Sequence, residues 1–217
     1  MAEKRGGCSQ ADRLLMLRPR RLFPDFALPA PIARYPRIDD RVRRRSTMDD
    51  TAAALSQSRA ETRSAFENRA LMYAYIYDEL ETELGAERAT AIMKRAIFRR
   101  GLEIGEKYRP AADAGDLAEV GRMFVEGSPA EGALFEPGVE AFEQGSDTIV
   151  LRMTGCPLKD AWLAAGYSAE KTEHLCDIAA AVDHGTFEGA GLDLRFLDRQ
   201  ACAGSDTCLL ELKLRER

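Results

Sequence analysis

Phe66, Ala70, Tyr73, Tyr77 and Leu80 stand three or four residues apart, so they share one side of a helix and predict a buried stripe. Asp49 and Asp50 suit the start of that helix, as a cap and as negative charge against its dipole. Helical character persists to about Glu83, and Gly85 suits the stop. A second helix is predicted from Ala86 to Lys107, with Ala89, Ile92, Ala96, Leu102 and Ile104 as its apolar positions and Arg109-Pro110 closing it. A short helix from Asp116 to Val125 follows, and Gly127-Ser128-Pro129 ends the helical half.

Beyond Pro129 the period shifts toward two. Gly138 to Phe142 and Asp147 to Thr154 bracket Gln144-Gly145-Ser146, the pattern of a hairpin. Leu192, Leu194 and Phe196 alternate with Asp193, Arg195 and Leu197, and Cys208, Leu210, Leu212 and Leu214 alternate with Leu209, Glu211, Lys213 and Arg215. A turn at Gly204-Ser205-Asp206 joins these two strands. Two helices, about Pro157 to Ala165 and Ser168 to Val182, fill the interval. The expected fold is α+β: a helical N-terminal half packed on a small antiparallel sheet, with two interposed helices.

Composition changes this picture at one end. Residues 1–47 carry a net charge of +7 and five of the nine prolines, with no sustained apolar period. They predict a disordered basic Pro/Arg-rich extension to a single domain at 48–217. The extension is read either as sequence upstream of a natural start at Met48 or as a basic arm. The remaining residues carry −12. An acidic body argues against nucleic acid as a partner, because phosphate binding needs a basic face. No apolar run approaches the length of a membrane span, and no secretory core follows the first basic residues. The expected compartment is the cytoplasm, with a homo-oligomer left open. Tyr73, Tyr75 and Tyr77 belong either to the core or to the wall of a pocket.

The candidate chemistry lies between Cys156 and Cys208. Of five cysteines, Cys8 stands alone, whereas Cys156, Cys176, Cys202 and Cys208 cluster late in the chain. Pro157 suits the first position inside a helix, which makes Cys156 its N-cap. Free N–H groups and the helix dipole at that place favour a thiolate and lower the thiol pKa from about 8.5. Cys156 is thus a candidate nucleophile, with a buried corner cysteine as the plainer reading. Cys176 and Asp183, seven residues apart, return to within about 20° of one helix face. His184 precedes Gly185, which is expected to end the helix, so the imidazole is read either as a C-terminal cap or, with the freedom that the glycine gives the backbone, as a group turned toward a site. His174 is expected to be exposed. Cys202 and Cys208 flank the last turn without the spacing of a zinc knuckle.

The run Cys156-Pro157-Leu158-Lys159-Asp160-Ala161-Trp162, followed by Gly166, Leu175-Cys176, Asp183, Gly185, Phe187, Gly191 and Cys208, resembles the L-2-amino-thiazoline-4-carboxylic acid hydrolase family. The resemblance covers roughly residues 58 to 214. It implies a hydrolase whose small-molecule substrate is a cyclic isothiourea, opened to a carbamoyl cysteine. On that basis Cys156 or Cys176 is expected to attack the C=N carbon while Asp183 or His184 moves protons, and Arg152 or Lys159 holds a substrate carboxylate. No cofactor is required, unless Cys156, Cys176 and Cys208 hold zinc that activates water. The tail from Cys202 to Leu212 is similar to the end of 4-vinyl reductase-type domains. That similarity implies a small-molecule-binding domain whose cysteines form a structural metal site.

Overall fold

The computed structural model describes residues 48–215; the predicted extension at 1–47, and Cys8 with it, lies outside the described residues. Helix α1 (Met48–Leu84) places Asp49 and Asp50 inside its first turn rather than ahead of it. Ala70, Ala74 and Tyr77 are buried, with Phe66, Tyr73 and Leu80 packed beside them. Gly85, at φ 80°, then reverses the chain in a conformation that a side chain would disfavour.

Helix α2 (Ala86–Gly105) buries a different face from the expected one. Ala89, Met93, Ile97, Gly101 and Gly105 point inward, whereas Ala96 is exposed and Leu102 is 39% exposed. The cause is a glycine contact that hydrophobicity does not register. A Cβ on Gly101 would lie 2.3 Å from the Val182 carbonyl oxygen, and one on Gly105 equally close to that of Thr186. Arg109-Pro110 does not merely close α2, because proline suits a first helical turn and opens the short α3 (Arg109–Asp113). The next helix, α4 (Leu117–Glu126), is capped by Asp116, whose carboxylate accepts from the Glu119 N–H at 3.0 Å. A tight turn at Pro129–Gly132 follows, with Ala130 and Glu131 both at positive φ.

Four strands form one antiparallel sheet in the order β1-β2-β4-β3: β1 (Pro137–Phe142), β2 (Thr148–Met153), β3 (Leu192–Asp198) and β4 (Cys208–Leu214). Leu151 faces Leu210, and Leu212 is flanked by Ile149 and Leu194, so the alternation puts one apolar face inward. Ion pairs such as Arg195 with Glu211 occupy the other face.

Three helices, not two, lie between β2 and β3. The predicted helix over 168–182 ends early: α6 (Ala169–Ala179) is separated at Ala180 from α7 (Ala181–Ala190), with α5 (Pro157–Ala164) ahead of both. Helices α3, α4 and α7 pack on the sheet around Leu117, Val120, Phe187 and Leu192. A second core joins α1, α2, α5 and α6 around Tyr77, Met93, Trp162 and Leu175. Trp162 locks it, since its Nε1–H donates to the Ala70 carbonyl oxygen at 2.7 Å. No helix among the described residues is long and apolar enough to cross a membrane.

Candidate active site

Where the two cores meet, a cavity of about 450 Å³ opens, and its walls come from most of the elements just described. Of its aromatic lining, Phe66, Tyr73, Phe124, Phe135 and Phe196 are half-buried, whereas Tyr108, Trp162 and Phe187 are buried. Three of the predicted cysteines, Cys156, Cys176 and Cys208, face it together with Asp183. Each arrives from a different direction: Cys156 from the start of α5, Cys176 from α6, Asp183 from the first turn of α7 and Cys208 from the start of β4.

Asp183 is the only carboxylate among the lining residues. The residue is half-buried. Desolvation pushes its pKa up to about 7, although a helix N-terminus favours the ionised form. Tyr108 lies near enough that burial first, and the Asp183 charge second, push its phenol up to about 12.

Cys156 is the N-cap of α5 as expected, and its Sγ accepts from the Lys159 N–H at 3.4 Å. The expected low thiol pKa is corrected, however. Burial raises it, and the backbone N–H groups of Lys159 and Leu158 only partly oppose that rise. Burial likewise pushes Cys176 up to about 12, with Cys208 and Cys156 adding repulsion, and pushes Cys208 up to about 11. All three are therefore neutral thiols near pH 7. Among the described residues no group of three or more His, Cys, Asp or Glu side chains is placed to hold a metal ion. Cys156, Cys176 and Cys208, the trio expected to bind zinc, face the same cavity but do not form such a group.

The remaining candidates lie elsewhere. His184 does not line the cavity; its Nδ1 is 2.8 Å from Glu188 Oε1, and its ring packs near Phe196. Nor does Gly185 end the helix, since α7 continues to Ala190 and is stopped by Gly191 at φ 96°. Arg152 pairs with Glu140 at 3.5 Å, outside the cavity lining. The Lys159 ammonium donates to Gln200 Oε1 at 3.1 Å. Gln200 is buried and in turn donates to the Met153 and Gly155 carbonyls, so Lys159 helps to hold the loops beneath the thiols. His174 is half-buried rather than exposed, bonded to Thr90 and packed edge-on against Tyr77.

The cations that do line the cavity are Arg69, Arg100, Lys107 and Arg199. Arg69 was legible in principle, because Phe66, Arg69 and Tyr73 fall at helical steps on one face. Of the tyrosine stripe, Tyr73 reaches the cavity, Tyr77 is core and Tyr75 is 55% exposed.

No curated protein matches the chain in sequence. Among solved structures, a trafficking protein particle complex subunit 3 from Naegleria fowleri, covalently bound to palmitic acid, is similar at a TM-score of 0.48 and 11% identity, over 70% of this chain and 96% of that one. The family model described as L-2-amino-thiazoline-4-carboxylic acid hydrolase matches residues 63–211, a span that holds the cavity's thiols and Asp183 together with most of its wall. With that match over more than half its length, the chain belongs to the L-2-amino-thiazoline-4-carboxylic acid hydrolase family.

Proposed function

We propose that this protein hydrolyses a cyclic isothiourea of the 2-amino-thiazoline-4-carboxylate type in the cavity, with Asp183 as general base. The carrying observation is a lone carboxyl among the residues lining a cavity able to enclose a small molecule, where desolvation pushes its pKa up to about 7. Family membership supplies the reaction class.

Water attacks the carbon of the protonated ring C=N bond. The new C–O bond displaces the π pair onto the ring nitrogen, and the Asp183 carboxylate takes one water proton. As the tetrahedral adduct collapses, the C–S bond breaks, sulfur takes the proton from Asp183, and the hydroxyl proton leaves to solvent as the carbonyl forms. The product is an N-carbamoyl thiol. The neutral, half-buried thiols of Cys156 and Cys176 favour water over cysteine as nucleophile, because the thiolate is the attacking form of cysteine. Cys156, Cys176 and Cys208 then serve as walls, and Cys156 also as a helix cap. Cytoplasmic residence and action without a cofactor belong to the same reading.

Asp183→Asn is expected to lower kcat by about 10² to 10⁴, whereas Cys156→Ser, which keeps the cap, changes it by less than about tenfold. In the wild-type protein, kcat/KM rises with pH through about 7 as Asp183 ionises. Full turnover in Asp183→Asn, or its loss in Cys156→Ser with folding intact, sinks the mechanism. The largely apolar wall favours a second reading, a small-molecule-binding domain without turnover. That reading requires tight binding of the intact heterocycle with no thiol released.

A further inference from the structure

A 2-amino-thiazoline-4-carboxylate is a small polar heterocycle. The cavity is of the size that encloses a drug-like ligand, about 300 to 1,000 Å³, and its surface is largely apolar, with Phe66, Tyr73, Phe124, Phe135 and Phe196 half-buried in its wall. A bare thiazoline would leave most of that surface wet. Charge is also distributed unevenly along the cavity. Arg69 and Lys107 are exposed at its edge, whereas Phe124, Phe135 and Phe196 are half-buried in its wall.

The two edge cations are held in an unusual way. The Arg69 guanidinium lies over the Phe66 ring, 4.1 Å from its centre, and the Lys107 ammonium lies 4.7 Å from the centre of the Tyr108 ring. Neither has a carboxylate partner among the described residues. Arg100 and Arg199, by contrast, are paired with Glu103 and Asp177. Two exposed cations steadied on aromatic faces, with no carboxylate partner among the described residues, suit an anionic group. Next to them lies an apolar wall.

We infer that the substrate is an amphipathic acid: a cyclic isothiourea carboxylate bearing an alkyl or aryl substituent, its carboxylate between Arg69 and Lys107 and its apolar part against the aromatic wall. The inference rests on the hydrolase reading and adds the substituent. Burying an apolar group strengthens binding by about tenfold for each two methylenes. The guanidinium and ammonium select for the carboxylate by charge-assisted hydrogen bonds.

The test uses 2-amino-thiazoline-4-carboxylate, its ring-butyl and ring-benzyl derivatives, and the methyl ester of the butyl compound, following thiol release. Wild-type protein is expected to favour the substituted acids by tenfold or more in kcat/KM. Arg69→Gln combined with Lys107→Gln is expected to raise KM for the acids by tenfold or more and to leave the ester nearly unaffected. Equal kcat/KM for bare and substituted acids, or insensitivity of the acids to the double substitution, overturns the inference while hydrolysis stands. Calorimetry of the same compounds on Asp183→Asn separates the two claims. Tight binding of the substituted acid without turnover by the wild type overturns hydrolysis and upholds the amphipathic ligand. Absence of both binding and turnover overturns both.

Discussion

Cys156 shows how two influences on one atom are weighed. A helix N-terminus lowers a thiol pKa and burial raises it, and here burial is the larger effect. The cap was legible from Cys156-Pro157 alone, but the sign of the shift depends on enclosure by elements distant in sequence. Cys176 and Cys208 follow the same rule with fewer opposing hydrogen bonds, at about 12 and 11. Alkylation of the folded protein by iodoacetamide is therefore expected to be slow at both near pH 7 and to accelerate with pH up to about 11, as read by peptide mass analysis. Fast, pH-independent labelling of Cys176 near neutrality contradicts that placement. Asp183 carried a similar ambiguity. Its spacing from Cys176 put both on one face, and both do line the cavity, yet they reach it from separate helices on either side of Ala180.

Elements whose signal is local matched the prediction closely. β4 spans Cys208–Leu214 as the alternation required, and the Asp116 cap sets α4. The errors cluster where a glycine makes a contact instead of a turn. Gly185 after His184 suggested a helix end, but a Cβ there would stand 2.1 Å from the Phe98 carbonyl oxygen, inside the packing of α7 against α2. Sequence periodicity weights a glycine as weakly apolar, so Gly101, Gly105 and Gly185 did not register as an interface. Their absent side chains let the two helix backbones approach closely, a gain in packing that any Cβ removes. Gly101→Ala and Gly185→Ala are each expected to destabilise the fold by about 3 kcal/mol, because the obstructing atoms are backbone and cannot rotate away. Gly166→Ala is a useful contrast: its added Cβ meets nothing, so only its φ of 86° penalises the change. Urea denaturation ranks the three, and an interface variant no less stable than the wild type refutes the close-approach argument.

For the whole molecule, the cavity between the two cores imposes a pH dependence that composition does not show. Asp183 has an ordinary carboxyl pKa near 3.8 when the chain is unfolded and one of about 7 when folded. Between those values the folded state holds a proton that the unfolded state has released, so rising pH weakens the fold across that window and adds nothing beyond it. Carboxylates such as Glu119, held low first by the Arg122 hydrogen bond, act in the opposite sense and in a more acidic range. The wild-type stability curve mixes both contributions. Comparison with Asp183→Asn isolates one, because asparagine keeps the shape and removes the ionisation. Relative to the variant, wild-type protein is expected to lose a few kcal/mol, about 1.4 for each pH unit at most, between pH 4 and 7. Urea unfolding of both proteins at pH 5 and pH 8 measures the difference. A gap that is the same at both values means that the Asp183 carboxyl is solvated in the folded protein, which removes the basis for its role as a base. A gap that widens toward pH 8 shows that this fold gives up stability to keep a carboxylate desolvated inside its cavity, the condition under which such a group takes a proton from water near neutral pH.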